Sequence, residues 1–131
     1  MLVDDQLGAT RDSADDLGPY LKAFEDIEAD PNQLLMVADE AGETVGTLQL
    51  TFIPGLSRRG ALRCLVEAVR VRADHRGSGL GGELMHWSIE ESRRRGCALV
   101  QLTSDASRVD AHRFYERLGF AASHTGFKLA L

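Results

Sequence analysis

The most constraining feature of the sequence is a strand that runs into a glycine-rich turn and then into a helix, within residues 69–82. The segment reads Val-Arg-Val-Arg-Ala-Asp-His-Arg-Gly-Ser-Gly-Leu-Gly-Gly. Glycines let the main chain approach a ligand closely. The first N–H groups of the following helix have no intrahelical partner and lie at the positive end of its dipole. Because Arg76 adds a permanently charged, planar donor, the segment predicts a phosphate-binding site.

Length and composition are typical of a soluble globular protein. The 131 residues suffice for one domain with a real core, so we expect a single domain over residues 1–131. No apolar run approaches the ~20 residues that span a membrane. The N-terminus also lacks the basic and apolar regions of a signal peptide. These features predict a cytoplasmic protein that does not bind a membrane.

Charge and cysteine content exclude two further classes. No basic patch is interleaved with aromatic residues, which disfavours nucleic-acid binding. Cys64 and Cys97 lack metal-ligand spacing and are expected to be buried, reduced thiols, so we predict no metal site. Residues 1–30 carry nine acidic residues against two basic ones, a net of −7. Either a solvated helix face or a surface for a cationic substrate explains that segment.

Hydrophobic periodicity predicts helices, an antiparallel meander and then a β-α-β-α-β order, which is a mixed α/β (α+β) fold. In the third strand, strict alternation would place Glu67 and Val71 on the same face. In the long helix, Leu80, Leu84, Trp87 and Ser88 are expected to face inward. The predicted elements are two helices within residues 4–29 separated at Gly18-Pro19, strands Leu34–Ala38, Val45–Ile53 and Leu62–Val71, helix Leu80–Arg95, strand Cys97–Thr103, helix Ser107–Leu118, and a hairpin of Phe120–Ser123 with Thr125–Leu131.

The glycine turn also satisfies the GxGxxG pattern of dinucleotide-binding folds. Asp105 lies near the offset expected of the ribose-binding acid in such folds. Only 49 residues follow Gly82 (131 − 82), which is too few for the several βαβ units that a dinucleotide fold needs. The preceding strand also carries charged residues, whereas a strand buried on both faces would be almost continuously apolar. These observations disfavour nicotinamide binding, and the absence of GK[ST] excludes a Walker A loop.

A second motif favours an interpretation other than a dinucleotide-binding fold. The Arg-x-x-Gly-x-Gly pattern that starts at Arg76 is followed about thirty residues later by Ala-His-Arg-Phe-Tyr-Glu-Arg-Leu-Gly-Phe, residues 111–120. With both motifs in this order and at this separation, residues 34–131 resemble the GCN5-related N-acetyltransferase (GNAT) family. The resemblance implies a mixed central sheet of about six strands flanked by helices. It also implies transfer of an acetyl group from acetyl-CoA to an amine by direct attack in a ternary complex.

The resemblance further implies roles for individual residues. The glycine turn would hold the CoA pyrophosphate, and the backbone of the preceding strand would pair with pantetheine where two central strands splay apart. The Val71 N–H would stabilise the acetyl oxygen, and Tyr115 would protonate the departing thiolate. Glu67 is the preferred general base for the amine, ahead of His112 and His124, and His75 is expected only to line the turn. The implied cofactor-binding residues are Val69, Arg70, Val71, Arg76, Gly77, Ser78, Gly79, Leu80, Gly81 and Gly82, with Phe114.

The chain departs from the family pattern at two places. Many members carry Asn shortly before the Phe-Tyr pair, and here Ser107 or Arg108 is expected to take over its contacts with CoA. The usual opening strand is absent, since residues 2–5 read as the inside of a helix. The missing strand would expose a sheet edge that a homodimer would cover.

Two functions from different classes follow from these motifs. The first is an N-acetyltransferase whose acceptor is a small-molecule amine or a peptide amine. The alternative is a non-catalytic acyl-CoA-binding or regulatory module.

Overall fold

The computed structural model describes residues 12–13 and 15–131, which form two compact units within residues 1–101 and 102–131. The first unit contains a sheet in the order β1-β2-β3-β4. The predicted absence of the family's opening strand and the helical interpretation of residues 2–5 both concern residues outside the described ones. The elements are α1 Gly18–Ala29, β1 Gln33–Glu40, β2 Glu43–Pro54, α2 Ser57–Gly60, β3 Leu62–Val71, a one-turn 3₁₀ helix Ala73–His75, α3 Leu80–Arg94, β4 Leu99–Leu102 and α4 Val109–Arg117.

Helix α1 begins at Gly18, with Pro19 in its first turn. Proline is well tolerated there because the first N–H groups of a helix have no intrahelical partner. Gly18-Pro19 therefore opens α1, and residues 4–11 of the first predicted helix lie outside the described residues. Residues 12, 13 and 15–17, which were predicted to be helical, are not.

Strands β1, β2 and β3 form the predicted antiparallel meander. Ala41 and Gly42 connect β1 to β2 with φ of +55° and +85°, which is typical of a tight hairpin turn. Helix α3 crosses from β3 to β4 and packs against β2 and β3. The Ala98 N–H donates to the carbonyl of Leu62 at 2.8 Å. Since both strands begin at that end, β4 runs parallel to β3 and the sheet is mixed.

The core lies between one face of this sheet and α3. Gly46 permits the close approach, because a Cβ there would lie 3.0 Å from Leu84 Cδ1. The inward side of α3 is formed by Leu84, Met85, Ser88 and Ser92, whereas Trp87 is 40% exposed and not inward as predicted. The buried apolar side chains are Val45, Leu48, Leu50, Phe52, Cys64, Val66, Leu84 and Met85.

The prediction of about six strands is wrong for the described residues, where the sheet has four. The expected terminal hairpin, Phe120–Ser123 with Thr125–Leu131, does not form, and residues 118–131 have no regular secondary structure. Phe127 and Leu129 are 93% and 85% exposed. Their alternation with polar residues resembles a strand, but a strand also needs a hydrogen-bonded neighbour.

Candidate active site

The second half of β3 presents backbone N–H groups away from β2. The Arg72 N–H donates to the Val45 carbonyl at 2.8 Å, and Val71 lies opposite Gly46. Successive N–H groups of a strand point to opposite sides, so those of Val69 and Val71 point away from β2. On that side β4 has only four residues, whereas β3 has ten. Because pairing starts at Leu62, the strands within residues 15–131 leave the end of β3 with a neighbour on one side only.

A β-bulge separates the two halves of β3. Thr47 lies opposite Arg70, but Gln49 lies opposite Glu67, so β3 carries one extra residue. Ala68, inside the bulge, has a φ of +50°, a value that is uncommon for a residue with a side chain. The extra residue reverses the alternation, since a shift of one residue exchanges the faces of a strand.

The bulge corrects the predicted position of Glu67. Glu67 shares its face with Gln49, whereas Val71 shares the opposite face with Gly46, the face on which α3 packs. Glu67 and Val71 therefore do not lie on one face, as uninterrupted alternation predicted. Glu67 is exposed, which leaves its carboxylate accessible to a solvent-borne amine.

Polar side chains surround Glu67 on its face of the sheet. Gln49, directly opposite Glu67, donates through Nε2 to Gln33 Oε1 at 3.0 Å. Thr51 Oγ1 donates to the same Gln33 oxygen at 2.9 Å. Thr47, opposite Arg70, donates to the Met36 carbonyl at 2.8 Å. This polar row gives a hydrogen-bonding lining to the face that carries the candidate base, and sequence reasoning missed it because it depends on cross-strand register.

The glycine turn follows β3 and presents further N–H groups. Gly77 and Gly79 have φ of +80° and +97°, a conformation that favours glycine. Among the described residues, no acceptor bonds the N–H of Gly77, Gly79 or Gly81. A Cβ built at Gly77, Gly79 or Gly82 would meet nothing within 4 Å. The turn therefore offers unbonded donors with open space above them at the N-terminus of α3, as an anion site requires.

Arg76 and Ser78 shape this turn. Arg76 is exposed, and its Nε donates to the Val71 carbonyl at 3.2 Å, which ties the guanidinium to the end of β3. Ser78 Oγ donates to the His75 carbonyl at 2.7 Å and accepts from the Leu80 N–H at 3.4 Å. The Ser78 hydroxyl thus holds the first residue of α3, and the backbone supplies the open donors.

Residues 102–131 hold the second motif. Tyr115 and Phe114 lie on α4, half-buried, with ring centroids 5.2 Å apart in an edge-to-face arrangement. The Tyr115 ring also lies 6.0 Å from that of Phe120. These aromatic contacts fix the phenol ring, which is what a positioned proton donor needs.

The loop before α4 is organised by Asp105. Its carboxylate accepts from the Ser107 hydroxyl at 2.6 Å and from the Ser107 N–H at 2.9 Å. The Arg108 N–H and a His112 ring nitrogen both contact the Asp105 carbonyl. Ser107 therefore bonds within its own loop, and the His112 ring contacts the same loop. Sequence reasoning missed Ser104, whose hydroxyl is buried without a hydrogen-bond partner among the described residues.

The sequence-predicted residues thus fall into two groups. Glu67, Val69, Arg70, Val71 and the turn from Arg76 to Gly82 are brought together along β3 and the start of α3. Ser107, Arg108, Phe114 and Tyr115 lie together around α4. The remaining candidate base, His124, is exposed beside Ser123.

The residues of the turn fit the phosphates of a CoA molecule. Open N–H groups, a flanking guanidinium and room above three glycines match a polyanionic ligand. Across the part of the chain that the structure describes, no group of three or more His, Cys, Asp and Glu side chains could hold a metal ion. None of its helices is both long enough and apolar enough to cross a membrane.

The fold and the turn are those of the GNAT class, and comparison with known proteins shows this family membership directly. The model of the acetyltransferase (GNAT) family matches residues 2–120, so the chain belongs to that family. A crystal structure of a transcriptional regulator from Bacillus halodurans C-125 is 46% identical, with a TM-score of 0.96 over 100% of this chain and 89% of that one.

Two curated relatives are named as N-acetyltransferases of small molecules. The aminoalkylphosphonate N-acetyltransferase of Salmonella typhimurium is 37% identical over 78% of this chain. The glucosamine 6-phosphate N-acetyltransferase of Trypanosoma brucei brucei is 37% identical over 69% of this chain. The alignments span 66% and 59% of those relatives' own lengths, which is less than two thirds of each.

Proposed function

We propose that this protein is an acetyl-CoA-dependent N-acetyltransferase that transfers the acetyl group to a primary amine by direct attack in a ternary complex. The observation that carries the proposal is a series of outward N–H groups in two sets, Val69 and Val71 at the end of β3 and Gly77, Gly79 and Gly81 in the turn. An extended amide-containing chain that ends in a pyrophosphate is the ligand that such a series would bind.

In this proposal the turn binds the anionic end of CoA. The open N–H groups and Arg76 contact phosphate oxygens, since charge-assisted hydrogen bonds are the stronger ones. The backbone of Val69 and Val71 pairs with the amides of pantetheine. The Val71 N–H then stabilises the negative charge that develops on the acetyl oxygen during attack.

Glu67 and Tyr115 have the proton-transfer roles in the proposal. An amine with a pKa near 10.4 is almost entirely protonated at pH 7. Glu67 takes a proton from that amine, directly or through water, and leaves it able to attack. As the C–N bond forms and the C–S bond breaks, Tyr115 donates its phenolic proton to the departing sulfur. Glu67 on the exposed polar face supports this assignment, as do the ring contacts that hold Tyr115.

A small-molecule acceptor is preferred over a peptide amine. Two of the curated relatives are named for acetylation of an aminoalkylphosphonate and of glucosamine 6-phosphate. Both names describe small amines with a phosphonate or phosphate group. We therefore extend the proposal to acceptors of that kind, bound against the polar row formed by Gln33, Thr47, Gln49 and Thr51.

A thiol-release assay with acetyl-CoA and a panel of amines tests the proposal. The panel contains aminomethylphosphonate, 2-aminoethylphosphonate, glucosamine 6-phosphate and a lysine-containing peptide. We expect turnover with at least one small phosphonate or phosphate amine, and a loss of about 10²-fold in kcat for Tyr115→Phe. Tyr20→Phe, in the other compact unit, is the matched control and should retain wild-type kcat.

Binding without turnover would favour the alternative function. If the protein binds acetyl-CoA but releases no thiol with any amine, the non-catalytic acyl-CoA-binding or regulatory module becomes the better account. If a folded protein does not bind acetyl-CoA at all, both accounts are wrong.

A further inference from the structure

A cluster of charged side chains joins the β1–β2 hairpin to the segment that precedes the glycine turn. The imidazole of His75 contacts the Glu40 carboxylate through Nε2 and the Asp74 carboxylate through Nδ1, each at 2.8 Å. Glu40 is the last residue of β1, so this contact spans 35 positions of the chain. The His75 side chain is only 20% exposed.

Arg72 completes the cluster. Its guanidinium makes two hydrogen bonds to Asp74, at 2.8 and 3.1 Å. It also contacts Glu43, the first residue of β2, at 3.4 Å. The residues that follow β3 are thus held to both ends of the hairpin turn, by His75 on Glu40 and by Arg72 on Glu43.

The two contacts of the imidazole define its charge. An ionised carboxylate can only accept hydrogen bonds, so both ring nitrogens must donate, and only the imidazolium has two N–H groups. The neutral ring would lose one of the two hydrogen bonds. Consistently, the hydrogen bonds with Glu40 and then Asp74 raise the pKa of His75, against the smaller lowering effects of desolvation and then of Arg72. Arg72 first, and His75 second, hold the pKa of Asp74 well below its usual range.

The backbone of His75 connects this cluster to the row of N–H donors. Its carbonyl accepts from both the hydroxyl and the N–H of Ser78, at 2.7 and 3.4 Å. Ser78 Oγ in turn accepts from the Leu80 N–H, at the first residue of α3. A displacement of His75 would therefore shift the glycine turn on which the proposed phosphate site depends.

We propose that His75, held as an imidazolium between Glu40 and Asp74, is a positioning residue that locks the glycine turn onto the β1–β2 hairpin, so that its protonation strengthens acyl-CoA binding. This inference rests on the proposed function, because it takes acyl-CoA as the ligand of the turn. His75 contacts no reacting atom, and it acts on the cofactor site through Ser78.

The direction of the pH effect follows from the sign of the charge. A histidine whose pKa is raised by carboxylate partners keeps those contacts at low pH and loses them as pH rises through its pKa. The complex with acyl-CoA requires the locked turn and favours the imidazolium further, because the ligand phosphates are anionic. Acetyl-CoA binding should therefore weaken as the pH increases from 6 to 9, whereas kcat at saturating acetyl-CoA should not change for this reason.

The test is the dissociation constant of acetyl-CoA between pH 6 and 9, measured by titration calorimetry on variants whose folding is verified by thermal unfolding. In the wild type we expect about threefold to tenfold weaker binding at pH 9, since one pKa unit corresponds to a factor of ten. His75→Gln should bind as weakly at pH 6 as the wild type does at pH 9. Glu40→Gln should shift the transition to lower pH.

Two further variants separate positioning from a general loss of structure. His75→Arg keeps a permanent cation, so its affinity should be less dependent on pH than that of the wild type. Glu90→Gln removes an exposed carboxylate from an ion pair with Arg93 on α3, and it should follow the wild-type curve. That curve also includes the ionisation of CoA itself, which is common to all variants.

The outcomes distinguish this inference from the proposed function. If acetyl-CoA binds and is turned over, but His75→Gln and Glu40→Gln follow the wild-type curve, only the inference about His75 is wrong. If the variants change kcat and leave the KM for acetyl-CoA unchanged, it is also wrong. If the folded wild type binds no acetyl-CoA at any pH, the proposed function fails and this inference fails with it.

Discussion

The two halves of β3 differ in what their backbones can do. The first half, around Cys64 and Val66, is buried between neighbouring strands and beneath α3. The second half, after the bulge at Ala68, has β2 on one side and no partner from the four-residue β4 on the other. One strand thus supplies core packing at its beginning and open N–H donors at its end. The difference comes from where β4 stops and where the bulge lies.

Charge reversal at Arg76, just after the second half of β3, should have the largest effect on acetyl-CoA binding. Arg76→Glu removes a cationic donor beside the turn and places a carboxylate near the phosphates of the ligand. We expect acetyl-CoA affinity to fall by about two to three orders of magnitude, since a hydrogen bond between charged groups contributes about 1.5–3 kcal/mol and repulsion adds to the loss. Titration calorimetry measures this effect.

The control for Arg76→Glu is Arg93→Glu, the same change at an exposed residue in the last turn of α3. That variant should bind acetyl-CoA within about twofold of the wild type, because exposed ion pairs contribute little. If Arg76→Glu binds acetyl-CoA with wild-type affinity, the glycine turn is not part of the cofactor site.

Glu67, the first residue after the buried half, should affect catalysis and not binding. Glu67→Gln keeps the shape of the side chain but cannot accept a proton, so we expect kcat to fall by about 10²-fold with little change in acetyl-CoA affinity. Steady-state kinetics against pH provides the measurement. Glu83→Gln, an exposed carboxylate in the first turn of α3, is the control. If Glu67→Gln retains full kcat, the polar face of the sheet does not supply the base.

The bulge that separates the halves can be tested through Ala68. At a φ of +50°, a β-branched residue is strained, whereas glycine is not. We expect Ala68→Val to lower the free energy of unfolding by about 1–2 kcal/mol, and Ala68→Gly to leave it unchanged or higher. Chemical denaturation of both variants measures the difference. Equal stability of the two would show that Ala68 does not adopt a positive φ.

Sequence periodicity predicted the long elements because their signals are local. The bounds of β3 agree at both ends, those of α3 agree within one residue, and the Ala41-Gly42 hairpin lies between the first two predicted strands. The bulge could not be predicted, since Ala68 carries no local signal for a positive φ. Its one-residue shift is what reversed the expected relation between Glu67 and Val71.

Contacts between residues far apart in the sequence also could not be predicted. His75 was expected only to line the turn, because nothing in the local sequence connects it to Glu40. The Phe120–Leu131 hairpin was predicted from alternation alone, which specifies faces but not a partner edge. The glycine turn and the start of α3 were accessible from sequence because glycine spacing and helix initiation are local, whereas the polar row opposite Glu67 depends on cross-strand register.

The smallest expected effect is on the free energy of unfolding, through contacts near the end of α3. That helix packs on the sheet face that carries the buried half of β3. Arg94 first, and then Arg95, lower the pKa of Glu91 to about 2, and the Arg95 guanidinium lies 4.0 Å from the centroid of the Phe52 ring. Glu91→Gln should therefore reduce the free energy of unfolding at pH 7 by roughly 1 kcal/mol.

The contribution of Glu91 to stability should depend on pH. A carboxylate with a lowered pKa stabilises the fold at pH values above its unfolded-state pKa, here 4.5, and loses that contribution as pH falls toward 2. The stability difference between wild type and Glu91→Gln, followed by thermal unfolding, should thus shrink between pH 4.5 and 2. Glu90→Gln is the control because its side chain is 69% exposed, against 10% for Glu91. An equal loss of stability in both variants would mean that the Glu91–Arg95–Phe52 contact does not stabilise the packing of α3 on the sheet.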